Sequence, residues 1–247
     1  MDRLIYTALT GLQRNQEAQS VTAHNLANAQ TPGFRREMAA LSSGWLNAAN
    51  GGGALATRVQ SGGESPHDLQ RAGAVETTGN PLDVAMDGGA WLAVADVAGE
   101  EALTRRGDLR LDASGRLATG DGRPVLGEDG PIQIAAGFAE VRIARSGGVE
   151  TRANGESPFV EVARLKLVSP DPASLSRERD GLFRSADGQD ADPLATVTTG
   201  ALEKSNVDPN ASLVDLIEQS RAYEMQTKLI AAAREMDEGT ASLMRVQ

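Results

Sequence analysis

VTAHNLANAQTPGF, residues Val21 to Phe34, decides how this chain is organised, because within it a long helical pattern stops and the backbone turns away. Pro32 disfavours helical geometry at Thr31, which ends the helix at or before Gln30. Thr31, Pro32, Gly33 and Phe34 then read as a type II turn, with Pro32 fixing φ at its second position and Gly33 supplying the positive φ of its third. Asn25 and Asn28 suit the end of the helix, since a short amide can hydrogen-bond the last free backbone groups and tolerates left-handed geometry.

Upstream, one helix is expected over residues 1–30. Ile5, Ala8, Leu12, Asn15, Gln19, Thr22 and Leu26 fall on a heptad-like seam, flanked by Leu4, Leu9, Ala18 and Val21. That seam is only half apolar, and a helix of this kind, roughly 40 Å long at about 1.5 Å per residue, needs partners to hold it. Asn15, Gln19 and Thr22 either face water or fix register by hydrogen bonds to a neighbouring helix. His24 reads as a helix-surface or packing residue.

The helical period returns near the other end. Asp208 is placed to cap a helix whose first position is Pro209, and the pattern runs on to Val246. Leu213, Leu216, Ile217, Ser220 and Tyr223 form one stripe. Ala222, Met225, Leu229, Ala232, Met236, Gly239, Leu243 and Val246 form a second with heptad spacing. Pairing with one helix needs one stripe, so the second is available to another part of the chain or to a neighbouring subunit.

Between the helices the period changes to two. Leu82, Val84 and Met86 alternate with Asp83, Ala85 and Asp87, and the Asp87-Gly88-Gly89 turn leads on to Trp91, Leu92 and Val94, a hairpin pattern. Leu109 and Leu111 precede a turn over 112–115, Leu117 and Thr119 precede one over 120–124, and Val125 and Leu126 resume. Ile132, Ile134, Val141, Ile143, Val160, Val162, Leu165 and Leu167 complete a set of short strands, which points to an antiparallel sandwich or barrel-like domain. The expected fold is therefore α+β. Discontinuous terminal helices, over 1–30 and within 200–247, form a coiled-coil-like domain, and an antiparallel all-β domain covers 75–199. A turn and Gly-rich connector spans 31–74; from Gly44 to Asp68 it is rich in Gly, Ser and Asn.

Composition narrows the function. The 247 residues carry a net charge of −10, from 24 Lys plus Arg against 34 Asp plus Glu, which argues against nucleic acid or an anionic membrane as main partner. No cysteine is present, so neither a disulfide framework nor a thiolate metal site is available. No apolar run spans a bilayer, and no apolar signal-peptide core follows the N-terminal basic residues. The GGGALA run from Gly51 resembles a dinucleotide-binding pattern, but no strand precedes it, and no cofactor is expected. His67 stands alone and reads as an ordinary packing or surface residue. Asp83 and Asp87, Asp108 and Asp112, and Asp187, Asp190 and Asp192 could be imagined as acid/base pairs or calcium ligands. Asp87, Asp112 and Asp121 stand beside Gly in turns, where Asp bonds its own backbone, and DGQDAD lacks the Gly and Glu of an EF-hand loop. No catalytic or metal residue is assigned, and the chain does not read as an enzyme.

NLANAQTPGF resembles the Asn-Leu-Ala-Asn-x-x-Thr-Pro-Gly-Phe signature near the N-terminus of bacterial flagellar rod and hook proteins, and the flanking residues Met1 to Met38 are most similar to those of the proximal rod. GALEKSNV, from Gly200, is similar to that family's C-terminal Gly-x-Leu-Glu-x-Ser-Asn-Val segment. TGNPLDVAMDGGAWLAV and LTRRGDLRLDASGRLATGDGRPVL resemble its central β domain. The resemblance implies a structural component of the periplasmic rod, exported through the flagellum's own apparatus without a cleaved signal. Its partners would be other rod proteins, copies of itself and, during secretion, the export apparatus. It singles out Leu12, Asn25, Leu26, Asn28, Thr31, Pro32, Gly33, Phe34, Leu216, Tyr223, Met225, Leu229, Met236 and Leu243 as residues of turn and assembly. A distal rod or hook protein, and a closed coiled-coil adaptor or adhesin, are the alternatives. Concentration-dependent, open-ended polymerisation separates the rod reading from a closed oligomer.

Overall fold

A computed structural model describes residues 2–38, 42–45, 59–62, 71–135, 137–138, 140–153, 157–178, 180–185 and 190–245. The Gly51 run, His67, Asp187 and Val246 lie outside them. The fold is α+β, with two helices and antiparallel strands. The chain divides into two compact units: Met1–Ala29, Arg36–Leu69 and Val207–Gln247 form one, and Gln30–Arg35 with Gln70–Asn206 form the other. The β unit thus takes in the Thr-Pro-Gly-Phe turn and extends past residue 199.

In the helical unit, α1 (Asp2–Ala27) and α2 (Pro209–Arg245) run antiparallel. Gly11 faces Gln226; Asn15 Nδ2 donates to the Gln219 carbonyl at 3.0 Å, and Gln219 Nε2 donates to Thr22 Oγ1 at 3.0 Å. Asn15 and Thr22 therefore fix register across the helices. The contact line of α1 runs through small and polar residues, with Leu12 and Leu26 half-buried beside it. On α2, Ser212, Leu216, Gln219, Tyr223, Gln226, Ile230 and Ala233 follow one another at alternating spacings of four and three, and none is exposed. Asp208 caps α2 as expected, its Oδ1 accepting from the N–H groups of Asn210 at 2.8 Å and Ala211 at 3.2 Å. The stretch read as a connector contains an antiparallel strand pair, Ser42–Trp45 with Val59–Gly62. Its Gly- and Ser-rich strands lack the apolar alternation by which a strand is recognised.

In the β unit, the largest sheet has five antiparallel strands in the order Leu167–Val168, Trp91–Ala95, Glu101–Thr104, Phe183–Ser185 and Leu175–Arg177. Trp91–Ala95 is buried at every position because both of its faces are covered. Leu92 and Val94 join one cluster with Val84, Leu117, Val125 and Leu165, while Trp91 and Ala93 join another with Leu103, Val168 and Phe183. The hairpin over Leu109–Leu111 and Leu117–Thr119 forms as its turn residues indicate. The expected pairing of Val84–Met86 with the Trp91 strand does not. Val84–Met86 pairs with Val197–Thr199, and the Asp87 turn only redirects the chain. All three residues of Val84–Met86 are buried, and burial on both faces outweighs the local turn signal.

The aspartates act as ties. Asp83 accepts from Thr78 Oγ1 and Asn80 Nδ2, Asp87 from the hydroxyls of Thr196 and Thr198, and Asp112 from the N–H groups of Ser114 and Arg116. The Ser114 hydroxyl first, and the Arg116 N–H next, hold the Asp112 carboxyl well below the usual carboxylate range.

Candidate functional site

The turn predicted from Pro32 and Gly33 is present. The Phe34 N–H donates to the Thr31 carbonyl at 3.2 Å, and Gly33 has φ of 69°. Its setting was not predicted. The Gly33 N–H donates to the Glu203 carbonyl at 2.7 Å, and a Cβ on Gly33 would stand 2.2 Å from the backbone carbon and oxygen of Arg105. Gly33 is thus required by its positive φ and again by close approach of backbone to backbone. Thr31 and Pro32 are half-buried, and so is Phe34, whose ring lies under the Arg177 guanidinium at 4.6 Å. Arg177 Nη1 also donates to the Arg35 carbonyl at 2.7 Å.

Immediately after the turn, Arg35 enters a buried charge cluster. Glu203 Oε1 accepts from Arg35 Nη2 at 2.7 Å and from the Gly73 N–H at 3.0 Å. Glu203 Oε2 accepts from Arg105 Nε at 2.9 Å and from its Nη2. The side chain of Glu203 is 1% exposed and those of both arginines 3%. Arg105 further donates to the carbonyls of Met86 and Gly88, at 2.9 and 3.1 Å, and to that of Ala90. One carboxylate therefore ties together the turn, the strand end at Arg105, the Met86 to Ala90 loop and Gly73. Burial pushes the Arg35 guanidinium down to about 10; Glu203 opposes that shift and Arg105 adds to it. Charged groups so far from water persist only when each is hydrogen-bonded and paired, as here.

Gly33→Val tests the turn. It places a β-branched residue at positive φ, a strain of about 1–3 kcal/mol, before any displacement of the Arg105 backbone is counted. The expectation from turn chemistry alone is a misdirected helix exit with an intact β domain. The contact with Arg105 changes this, so the β unit itself should melt earlier. An unchanged melting temperature of purified Gly33→Val protein would contradict the packing described here.

In the helical unit, Asn25 does not cap the helix end. Its Nδ2 donates to the Glu37 carbonyl at 2.7 Å and its Oδ1 accepts from the Glu37 N–H at 2.8 Å, so the buried amide pairs with the returning chain as a strand neighbour would. Asn28 does serve the helix end, donating to the His24 carbonyl at 3.0 Å. His24 Nδ1 lies 3.0 Å from Glu37 Oε2. Leu216 and Tyr223 line the seam with α1. Met225, Leu229 and Met236 face outward, at 63%, 55% and 60% exposure, joined by Leu213, Val214 and Ile217. The side chain of Leu243 lies outside the described residues. This arrangement places polar residues within the pair and an apolar stripe outside it, the reverse of a helix pair stable on its own terms.

Among the described residues, no group of three or more His, Asp or Glu could hold a metal ion, and no helix is long and apolar enough to cross a membrane.

Three family models match: flagella basal body rod protein over 5–35, flagellar hook protein FlgE/F/G D1 domain over 85–151, and flagellar basal body rod FlgEFG protein C-terminal over 198–243. Each segment supplies one member of the buried cluster, Arg35, Arg105 and Glu203 in turn. The flagellar basal-body rod protein FlgF of Salmonella typhimurium is 38% identical over 252 residues, covering 98% of both chains. That of Escherichia coli is 39% identical, covering 94% of both. The flagellar basal-body rod protein FlgG of Agrobacterium fabrum is 30% identical over 95% of this chain and 96% of its own. With likeness of this extent at both termini and through the β unit, this chain belongs to the flagellar basal-body rod family.

Proposed function

We propose that the protein is a structural subunit of the proximal flagellar rod, assembling through its terminal helices into a hollow axial shaft that transmits torque. The observation that carries the reading is the exposed stripe of Met225, Leu229 and Met236 on α2, set opposite a polar seam. Apolar side chains at heptad spacing on the outer face of a helix pair are suited to helices of neighbouring subunits, packed in coiled-coil fashion. Identity to FlgF proteins at both termini supports the proximal position. The parts 1–30, 31–74, 75–199 and 200–247 then divide the work. The first and last assemble, the turn and connector direct the chain, and the β domain forms an outer layer.

The subunit resides in the periplasmic rod, having passed through the flagellar export apparatus without a cleaved signal. Its partners are other rod proteins and copies of itself, with no role for nucleic acid, membrane insertion or a cofactor. Leu12, Leu26, Leu216, Tyr223 and Leu243 act with the stripe in helix packing, and Thr31, Pro32, Gly33 and Phe34 set the turn. The test is to locate the protein in purified basal bodies and to remove its gene. Rods should then be missing or incomplete; an intact rod in the deletion strain would contradict the proposal.

A further inference from the structure

The chain from Ser169 to Asp192 leaves the five-stranded sheet at one edge and comes back to the same edge. It departs after Leu167–Val168, and at its return the Asp192 N–H donates to the Leu167 carbonyl at 2.7 Å while Ser169 Oγ donates to Asp192 Oδ2 at 2.6 Å. Between these fastened ends it supplies the hairpin of Leu175–Arg177 and Phe183–Ser185, which lies at the opposite edge, beyond Glu101–Thr104. An excursion tied at its base is free to move at its tip.

The tip is weakly joined to the sheet by backbone. Leu175, Ser176 and Arg177 pair with Ser185, Arg184 and Phe183, so the hairpin is complete in itself. Among the described residues it meets the remaining strands at one register position, Phe183 with Leu103, whereas Trp91–Ala95 and Glu101–Thr104 share four. Leu182 and Phe183 are its buried anchors, the Phe183 ring standing 4.7 Å from that of Trp91. Charged side chains complete the join. Arg184 Nη2 donates to Asp96 Oδ2 at 2.5 Å, and Arg123 Nη2 donates to the Asp180 carbonyl at 2.8 Å. Hydrogen bonds to Asp180 first and Asp96 next hold the Arg184 guanidinium above its ordinary range. Arg177 donates to the Arg35 carbonyl and covers the Phe34 ring, so the hairpin also grips the Thr-Pro-Gly-Phe turn.

We propose that the Leu175–Ser185 hairpin is a latch, which lifts from the sheet as a unit while the rest of the β unit stays folded and, when closed, fastens the turn over 31–35. Local opening follows cooperative supersecondary pieces with few buried apolar contacts, and this hairpin keeps its own backbone bonds when it leaves. Opening uncovers Trp91 and Leu103, which are 5% and 3% exposed when it is closed, together with the pairing edge of Glu101–Thr104. An uncovered edge strand invites aggregation, which the charged ties oppose by holding the latch shut. The latch belongs to the single subunit and does not depend on rod assembly.

The chain has no cysteine, so one introduced thiol reports opening. Leu103→Cys places it under the hairpin. Val149→Cys, at a fully buried position in the separate three-stranded sheet, reports unfolding of the whole β unit. In the full-length protein the Leu103→Cys thiol should react with a soluble disulfide reagent well before the Val149→Cys thiol. Arg184→Gln should speed the reaction at 103 roughly tenfold, the effect of losing one charge-assisted hydrogen bond, and leave that at 149 unchanged. Phe34→Leu, which removes the ring under Arg177, should speed it roughly threefold. Trp91 checks the result without a core substitution: in a Trp45→Phe chain it is the sole tryptophan, and Arg184→Gln should make its fluorescence more readily quenched by acrylamide. Equal rates at 103 and 149, acceleration of both together by Arg184→Gln, or unchanged Trp91 quenching overturns the latch. No response at 103 to Phe34→Leu overturns its hold on the turn.

Discussion

Replacing Glu203 with Ala lowers the stability of the β unit by about 3–5 kcal/mol, the range for removing one partner of a buried ion pair. For a unit of this size that is a fall in melting temperature of roughly 10–15 °C. The loss is large because two guanidiniums, Arg35 and Arg105, are left buried without a counter-charge, and Gly73 loses the acceptor of its N–H. Glu203→Gln keeps the shape and part of the hydrogen bonding but not the charge, and should fall between Glu203→Ala and the native protein. Arg35→Met leaves the Arg105 and Glu203 pair neutral and intact and should cost less than Glu203→Ala. Thermal unfolding followed through the β-sheet signal checks all three. A Glu203→Ala change within about 1 kcal/mol of the native protein, the scale of an ordinary surface substitution, would mean the cluster is solvated and does not hold the turn.

The turn was legible in the sequence and the cluster behind it was not, for a physical reason. Pro32 and Gly33 restrict their own φ angles, so four consecutive residues suffice to recognise the turn. Glu203, Arg35 and Arg105 are charged residues that, singly, read as surface, and Arg35 stands in an ordinary basic run. Their burial depends on partners far apart in sequence, Arg105 and Glu203 being 98 residues from each other. One signal was available. Ala201 and Glu203 are buried on the same face of a short strand, with half-buried Leu202 between them, so the period of two that marks Ala201 as core places Glu203 beside it. A carboxylate at a core position calls for a cation, and the charged residues following a neighbouring strand and the turn are the places to look for one.

The helices show the same division. The heptad spacing of Met225, Leu229 and Met236 identified an apolar stripe, and the structure leaves it exposed. The seam of α1 was read with Asn15 and Thr22 on it, facing water or fixing register, and the structure gives the second, with Gly11 as the contact that the reading did not include. Small residues permit close approach, a property that apolar periodicity does not register, and periodicity alone does not decide whether a polar seam residue meets water or a partner helix. The pairing of Val84–Met86 with Val197–Thr199 was illegible because strands more than a hundred residues apart displaced an adjacent turn signal.

Leu229→Asp has the second large effect, and it acts on assembly. If the stripe packs between subunits of a rod, loss of the leucine buried there forfeits roughly 1.5–3 kcal/mol. An unpaired carboxylate in the seam adds several kcal/mol more, or is forced to take up a proton. Together these should reduce incorporation to a small fraction of normal. In the isolated subunit the same position is 55% exposed and lies off the α1 seam, so the substitution removes no internal packing. Glu218→Gln, on an exposed residue outside the second stripe, should leave assembly unchanged.

The most direct measurement pairs thermal unfolding of purified Leu229→Asp monomer with recovery of that variant in isolated basal bodies. A stripe that joins subunits predicts a monomer melting temperature within experimental scatter of the native protein and near-complete absence of the variant from basal bodies. Native recovery in basal bodies, or a monomer that unfolds early, would contradict assembly through the outer face of α2.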